Sequence, residues 1–222
     1  MAERFYEDPE VLIQRFVRDD IQYIRKEVKP MKIMGINLDS LAERLCEREI
    51  KILDRLKGID GIPQVIEQDS PTSFIYQYID GKMLLEVKKT PERYFDKLEA
   101  LLNKVHERGV ADIDFGDGEG ILVRPDGSAA ILDFAVAIVY DPNQGIRSKI
   151  VKPFFKYFCR LNREYLLRSK ERRAPEELTP DELKEAHDIG SIERIWKTYQ
   201  RIRKFVKYDL LKMSRATYFS KN

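Results

Sequence analysis

The feature that most constrains the fold of this chain is a carboxylate in the middle of an apolar helix face. After the loop MGINLD, apolar residues recur at spacings of three and four, which predicts an amphipathic helix that ends at Gly58. The apolar positions are Leu38, Leu41, Leu45, Ile52, Leu53 and Leu56. Glu49 is predicted to lie within this stripe, and a charge buried there requires a partner.

One candidate partner for Glu49 is Lys26, in the predicted strand YIRKEV. Side chains alternate along a strand, so Ile24 and Lys26 point to the same face. A strand lysine paired with a helix glutamate positions nucleotide phosphates in some phosphate-transferring enzymes. The alternative is that Glu49 reaches outward to a neighbouring cation on its own helix and that Lys26 is solvated. The sequence leaves both possibilities open.

Changes in periodicity along the chain predict an α+β fold, with strands concentrated toward the first half. Residues 11–29 predict two strands around Arg18-Asp19-Asp20, and QVIEQ and SFIYQYI predict a strand pair around Asp69-Ser70-Pro71. A second helix is predicted over residues 92–108, ending at Gly109. Its predicted apolar face consists of Tyr94, Phe95, Leu98, Leu101, Leu102 and Val105. A tight hairpin at Pro125-Asp126-Gly127 follows, and from residue 146 onward we expect helices, with a loop at APEELTP.

Acidic residues crowd one short loop and the end of one strand. The loop holds Asp112, Asp114, Asp117 and Glu119, and Asp133 directly follows the apolar strand AAIL. Carboxylates this close repel one another unless cations relieve the repulsion. Hard oxygen ligands on a loop suit Mg²⁺ or Mn²⁺. A merely solvated acidic loop is the alternative.

Four segments together resemble the protein-kinase-like superfamily: EREIKIL, YIDGKML, VHERGVADIDF and GILVRPDGSAAILDFA. The resemblance spans about residues 20–140 and is greatest to compact forms, the bacterial lipopolysaccharide or Kdo kinases and the RIO-type atypical kinases. It implies a bilobal fold, with residues 1–80 forming a mainly antiparallel N-lobe sheet with one helix. Residues 81–222 then form a mostly helical C-lobe, with a catalytic hairpin at 110–135 and a basic helical tail at 146–222.

The resemblance also implies roles for individual residues. Lys26 resembles the lysine that holds the α and β phosphates of ATP, and Glu49 resembles the glutamate that orients it. Asp114 resembles the aspartate that orients the acceptor hydroxyl, and Asp133 resembles the metal-binding aspartate. Three residues fall where the interlobe hinge offers backbone groups to adenine: Gln77, Tyr78 and Ile79. The implied cofactors are ATP with Mg²⁺ or Mn²⁺.

The chain departs from the family pattern in three places. No glycine precedes Gly35, so the glycine-rich phosphate loop is absent or replaced by the hairpin around Asp19. Gly120 stands where the family has a metal-binding Asn, and we expect Glu119 or Asp117 to supply an oxygen instead. The metal-binding motif reads LDFA instead of DFG. We interpret His106, at the end of the second helix, as structural.

Composition and charge limit the other function classes. No apolar run is long enough to span a bilayer and the start of the chain is acidic, so we expect a cytosolic protein. Cys46 and Cys159 lie outside any CxxC or Cys/His cluster, which predicts free thiols. The net charge of +2 hides an asymmetry, since residues 146–222 hold 20 Lys and Arg against 10 Asp and Glu.

Three functions follow from these patterns. The first is an ATP-dependent kinase that transfers a phosphoryl group to a hydroxyl of protein Ser/Thr or of a lipopolysaccharide sugar. The second is a pseudokinase or scaffold, which the missing glycine loop and Gly120 favour. The third is nucleic-acid binding by the basic helix predicted at 194–215, for which no recognition motif gives support. The same helix predicts peripheral contact with an anionic membrane.

Overall fold

A computed structural model describes residues 3–7, 11–29, 32–33, 36–37, 39–115 and 120–187 of the chain. The chain divides into two compact units. The first comprises described residues within Met1–Lys51 and Gln64–Tyr78, and the second comprises Ile52–Pro63 and the described residues from Ile79 onward. The predicted lobes at 1–80 and 81–222 stay a prediction, and the helix predicted at 194–215 lies outside the described residues.

An antiparallel five-stranded sheet forms most of the first unit. The strands are β1 (Glu3–Glu7), β2 (Val11–Arg18), β3 (Ile21–Val28), β6 (Val65–Ser70) and β7 (Ser73–Gln77), in the order β1-β2-β3-β7-β6. Two short strands, β4 (Lys32–Ile33) and β5 (Ile36–Asn37), pair with each other. The predicted β2–β3 hairpin is confirmed, and its turn places Asp19 and Asp20 at positive φ, a conformation that Asp adopts more readily than most residues.

Helix α1 (Asp39–Arg55) is confirmed, but the predicted face is wrong at Leu41 and Leu45, and Leu38 lies outside the described residues. Leu41 is 38% exposed and Leu45 is only half-buried. The buried line instead runs through Ala42, Cys46 and Glu49. Each residue advances a helix by about 100°, so this line is rotated by one position from the leucines. Glu49 faces inward as predicted, but the sequence spacing favoured the larger leucines over Ala42 and Cys46.

The second unit is built around helix α2 (Tyr94–Glu107), whose six predicted apolar positions are all buried. Helix α2 contacts the hairpin strand β11 (Ala129–Ile131), which pairs with β10 (Ile121–Val123) as predicted. The Tyr94 hydroxyl donates to the Leu122 carbonyl oxygen at 3.0 Å, which satisfies a buried polar group. Burial raises the pKa of Tyr94.

Three short strands in this unit were not predicted. They are β8 (Lys82–Met83), β9 (Val110–Ala111) and β12 (Ile138–Val139). β8 pairs with β10, and β9 pairs with β12. Two residues are too few to show a periodicity, so only long-range pairing defines these strands.

Helix α3 (Gly145–Arg173) is followed by a loop with a 3₁₀ turn at Pro175–Glu177 and by helix α4 (Pro180–Ala186), as the sequence predicted. Thr179 begins α4 with a capping box, in which it exchanges hydrogen bonds with Glu182. Among the described residues, no helix is long and apolar enough to cross a membrane. Both cysteines are free, as predicted.

Candidate nucleotide and phosphoryl-transfer site

Lys26 and Glu49 form a buried ion pair in the first unit. The alternation along β3 points Ile24, Lys26 and Val28 inward, and Lys26 is only 5% exposed. Its Nζ atom donates to Glu49 Oε1 at 2.7 Å, and Glu49 is 1% exposed. The predicted contact is therefore confirmed, and the alternative of two solvated side chains is wrong. Because desolvating two charges is costly, such a pair stabilises a fold little and suggests a functional use.

The thiol of Cys46 lies one turn before Glu49 on the same helix. Burial and, to a smaller extent, the negative charge of Glu49 raise its pKa to about 11, while the positive charge of Lys26 acts in the opposite direction. At neutral pH this thiol is protonated and weakly nucleophilic. Cys46 therefore fills space beside the ion pair instead of acting as a reactive group.

The segment Gln77-Tyr78-Ile79, which was predicted to contact adenine, ends the first unit and begins the second. Gln77 is the last residue of β7, opposite Tyr23, and the Tyr78 N–H continues the ladder by donating to the Gln22 carbonyl oxygen at 3.0 Å. The guanidinium of Arg15 lies 5.6 Å from the centre of the Tyr78 ring. The backbone N–H of Tyr78 is thus already used within the sheet.

Asp112 and Asp114 lie on the segment that follows β9 in the second unit. Asp112 is buried, whereas Asp114 is exposed. A carboxylate oxygen of Asp112 accepts the Asp114 N–H at 3.0 Å, which holds the loop in a tight local turn. Burial raises the pKa of Asp112 to about 8, and the charges of Asp133 and Asp114 also raise it. At neutral pH Asp112 therefore keeps its proton, which reduces the repulsion around the two exposed carboxylates.

A buried asparagine that sequence reasoning missed anchors this loop. Asn162, on α3, is 1% exposed, and its Nδ2 donates to the Asp112 backbone carbonyl at 2.7 Å. Its Oδ1 lies 3.2 Å from Nε2 of His106. Burial lowers the pKa of His106, so the neutral ring is favoured. An Asn within an otherwise amphipathic helix was the only signal in the sequence, and spacing alone does not connect it to a loop fifty residues earlier.

Asp133 lies just beyond β11 with an exposed side chain. Its Oδ1 accepts the Ala135 N–H at 3.0 Å. Gly120 is beside it, with φ of +78°, and its carbonyl accepts the Leu132 N–H at 2.7 Å. A Cβ atom at Gly120 would lie 3.4 Å from the Cβ of Asp133, an ordinary contact. The glycine is therefore required by backbone conformation more than by space.

The described residues fit a magnesium ion that is held chiefly by its nucleotide. Among them, no three His, Cys, Asp or Glu side chains lie close enough together to hold a metal ion without a nucleotide. Mg²⁺ in nucleotide sites is held by one or two carboxylates together with phosphate oxygens and waters, and Asp133 is a suitable first ligand. Glu119, the other predicted ligand, lies outside the described residues, as does Asp117.

Comparison with solved structures identifies the architecture. The Rio2 kinase from Chaetomium thermophilum matches with a TM-score of 0.57 and 17% identity, over 82% of this chain and 60% of that one. Its ADP/Mg²⁺-phosphoaspartate complex matches with a TM-score of 0.58 and 16% identity, over 86% and 62%. This chain has a protein-kinase-like fold. That fold is α+β and bilobal, as predicted, and includes the RIO-type atypical kinases.

The other comparisons are negative. No family model matches the chain, and no curated protein matches it. The chain spans about 60% of the length of the Rio2 kinase structures. At this level of identity the likeness establishes the fold alone, so the roles of the site residues stay predictions.

Proposed function

We propose that the chain is an ATP-dependent phosphotransferase that transfers a phosphoryl group to a hydroxyl. The observation that best supports this is the buried Lys26–Glu49 pair, at 2.7 Å, in a protein-kinase-like fold. A buried ion pair adds little to stability when compared with an apolar pair of the same size. Its retention is explained if the Lys26 ammonium neutralises nucleotide phosphates while Glu49 holds it in position.

In this proposal Asp114 accepts a hydrogen bond from the acceptor hydroxyl and receives its proton as the phosphoryl group is transferred. Asp112 and Asn162 act on it indirectly, because they fix the backbone on which Asp114 sits. Since Asp112 is buried and keeps its proton at neutral pH, Asp114 is the exposed base of the pair.

Asp133 is the proposed ligand of Mg²⁺ or Mn²⁺, with Glu119 as a second. When bound, the ion would neutralise the charge that develops on the phosphate oxygens. Adenine would be recognised by backbone groups of residues 77–79. The Tyr78 N–H donates within the sheet, so the carbonyl groups and Ile79 are the proposed partners for the base.

The proposed acceptor is a protein Ser or Thr hydroxyl, or a sugar hydroxyl of lipopolysaccharide. The proposed location is the cytosol, with peripheral contact at the inner face of a membrane. The pseudokinase alternative, which the absent glycine loop and Gly120 motivated, predicts a fold that binds nucleotide weakly or not at all and transfers nothing.

The test is transfer of label from [γ-³²P]ATP to two acceptor classes, a dephosphorylated protein mixture and lipopolysaccharide core. We expect Mg²⁺- or Mn²⁺-dependent labelling of one class, with Asp114→Asn and Asp133→Asn each reducing the rate by about 100-fold or more. Asp126→Asn is the matched control, because Asp126 also accepts a backbone N–H two residues on, at the other end of the same hairpin. Unchanged transfer in both site variants would sink the assignment, and absence of any transfer would favour the pseudokinase.

A further inference from the structure

The first half of α3 presents apolar side chains to solvent. Ile146 is 77% exposed, Ile150 is 61% exposed and Phe154 is 57% exposed. They follow one another at intervals of four residues, so they form a single stripe that is roughly 12 Å long. Ser148, on the opposite face, is buried, and the row itself becomes buried at its next residue, Phe158. These three side chains therefore form a continuous outward-facing apolar surface, here called the α3 stripe.

Positive charge borders the α3 stripe. Residues 145–163 contain six Lys and Arg and no Asp or Glu. At 100° per residue, Lys149, Lys156 and Lys152 lie on one side of the helix, roughly 100°, 120° and 160° from the centre of the stripe, and form the lysine row. Arg147 lies on the other side, roughly 60° from the centre. All four are exposed, and within the part of the chain that the structure describes none of them forms a salt bridge. The next basic residues along the helix are different, because Arg160 pairs with Glu164 and Arg163 pairs with Glu99.

We infer that the α3 stripe and its lysine row dock the protein on an anionic lipid surface. An interfacial helix combines an apolar stripe, which enters the boundary between headgroups and acyl chains, with lysines that remain among the anionic headgroups. The long lysine side chains reach the headgroups while their methylenes follow the apolar surface. The inference rests on the charge and exposure of α3 and does not depend on the proposed phosphotransferase activity.

The charge pattern favours lipid over the other possible occupants. A second copy of this chain would bring two positively charged faces together, which repel each other. Protein interfaces are depleted in lysine, whereas the exposed apolar residues here lie on a helix segment with six Lys and Arg and no Asp or Glu. A nucleic acid would engage the lysines through its phosphates but would leave Ile146, Ile150 and Phe154 unburied. Only an anionic bilayer surface uses both parts.

The test is flotation of the full chain with phosphatidylcholine vesicles, with and without phosphatidylglycerol. We expect binding only to the anionic vesicles, and weaker binding at high salt. Each basic side chain near such a surface strengthens binding roughly five-fold, so neutralising the lysine row weakens it on the order of 100-fold. The variant is Lys149→Gln with Lys152→Gln and Lys156→Gln. Its control changes the same net charge at three exposed lysines elsewhere: Lys88, Lys89 and Lys104.

A second variant tests the apolar part. Ile146→Ser, Ile150→Ser and Phe154→Ser combined should weaken vesicle binding by about ten-fold or more, since little apolar area then enters the interface. Its control places Ser at three other partly exposed apolar positions: Ile66, Leu85 and Leu183. The control variant should bind as the wild type does. Circular dichroism and the unfolding midpoint verify that both variants fold.

Several outcomes would overturn the inference. One is unchanged binding in the apolar variant, which indicates attraction to any polyanion. Another is binding to single-stranded RNA or an acidic protein without binding to anionic vesicles. A third is vesicle binding that is lost on deletion of residues 194–222 but kept in both α3 variants, which assigns the contact to the segment named from the sequence instead of to α3.

Discussion

Removing the carboxylate of Glu49 while keeping Lys26 should destabilise the protein strongly. Lys26 Nζ lies 2.7 Å from Glu49 Oε1, and the two residues are 5% and 1% exposed, so water does not replace the lost partner. Truncating one member of a buried pair leaves an uncompensated charge and costs about 3–5 kcal/mol. For a chain of this size, that lowers the melting temperature by roughly 6–20 °C. We expect this for Glu49→Leu and, with similar size, for Lys26→Met.

The double variant Lys26→Met with Glu49→Leu should recover most of the loss. Two apolar side chains of similar volume replace the pair, and such exchanges are neutral or stabilising by about 1–4 kcal/mol. Urea denaturation followed by circular dichroism gives the four unfolding free energies of the cycle. The control is the exposed pair of Glu47 and Lys51 on the same helix, 2.7 Å apart, where Glu47→Leu should leave the midpoint unchanged.

The same cycle separates stability from function. If Lys26 binds nucleotide phosphates, the stable double variant should not bind ATP, although it is folded. Single variants as stable as the wild type would contradict the burial of the ion pair. A double variant whose loss of unfolding free energy equals the sum of the two single losses would show that Lys26 and Glu49 do not interact. A stable double variant that binds ATP normally would remove Lys26 from the proposed site.

Three further predictions follow from the second unit. Burial raises the pKa of Asp112 to about 8, against about 3.9 in the unfolded chain. The contribution of Asp112 to the free energy of unfolding is therefore fully present below pH ~4 and is lost as the pH rises to about 8. Asp112→Asn should remove this loss of stability with rising pH, which is measured as the urea midpoint at a series of pH values. A pH dependence that is unchanged in the variant would show that Asp112 is charged in the folded protein. Asn162→Ala should lower the free energy of unfolding by about 1–3 kcal/mol, because it leaves the backbone carbonyl of Asp112 without its buried donor. A smaller loss than for Asn103→Ala, at an exposed position, would show that Asn162 does not anchor the loop. Gly120→Ala should lower the free energy of unfolding by about 1–2 kcal/mol, because φ at this position is +78°. Gly120→Asn should lower it less, because Asn adopts left-handed backbone conformations more readily than Ala. Equal urea midpoints for the two variants would argue against this backbone conformation.

The parts of the fold that the sequence predicted are those with a long repeat. Strand β3 alternates along its eight residues, and the α2 face recurs over fourteen residues, so local pattern and final packing agree. The two-residue strands β8, β9 and β12 exist only because distant residues pair, and no local pattern marks them. On α1, Glu49 turns inward to Lys26 as predicted, but Ala42 and Cys46 are buried instead of the larger leucines beside them.

The candidate site was predictable where one residue type carries the chemistry. A glutamate in an apolar stripe indicated the pair with Lys26, Asp114 stood out in a crowded acidic loop, and Asp133 stood out at the end of a strand. The environment of Asp112 was not predictable, because its burial and raised pKa depend on how the loop packs. The same is true of the hydrogen bond from Asn162, which joins α3 to a residue fifty positions earlier.

Metal-dependent ATP binding tests the central claim most directly. The unfolding temperature of the full chain would be measured with ATP alone, with ATP and Mg²⁺, and with ATP and Mn²⁺, for the wild type, Asp133→Asn and the control Asp126→Asn. A ligand that binds only the folded state raises the unfolding temperature, and the rise increases with the concentration of the ligand. The phosphotransferase account predicts a metal-dependent rise in the wild type and the control that is absent in Asp133→Asn. No rise at saturating ATP, or an equal rise in Asp133→Asn, would contradict it.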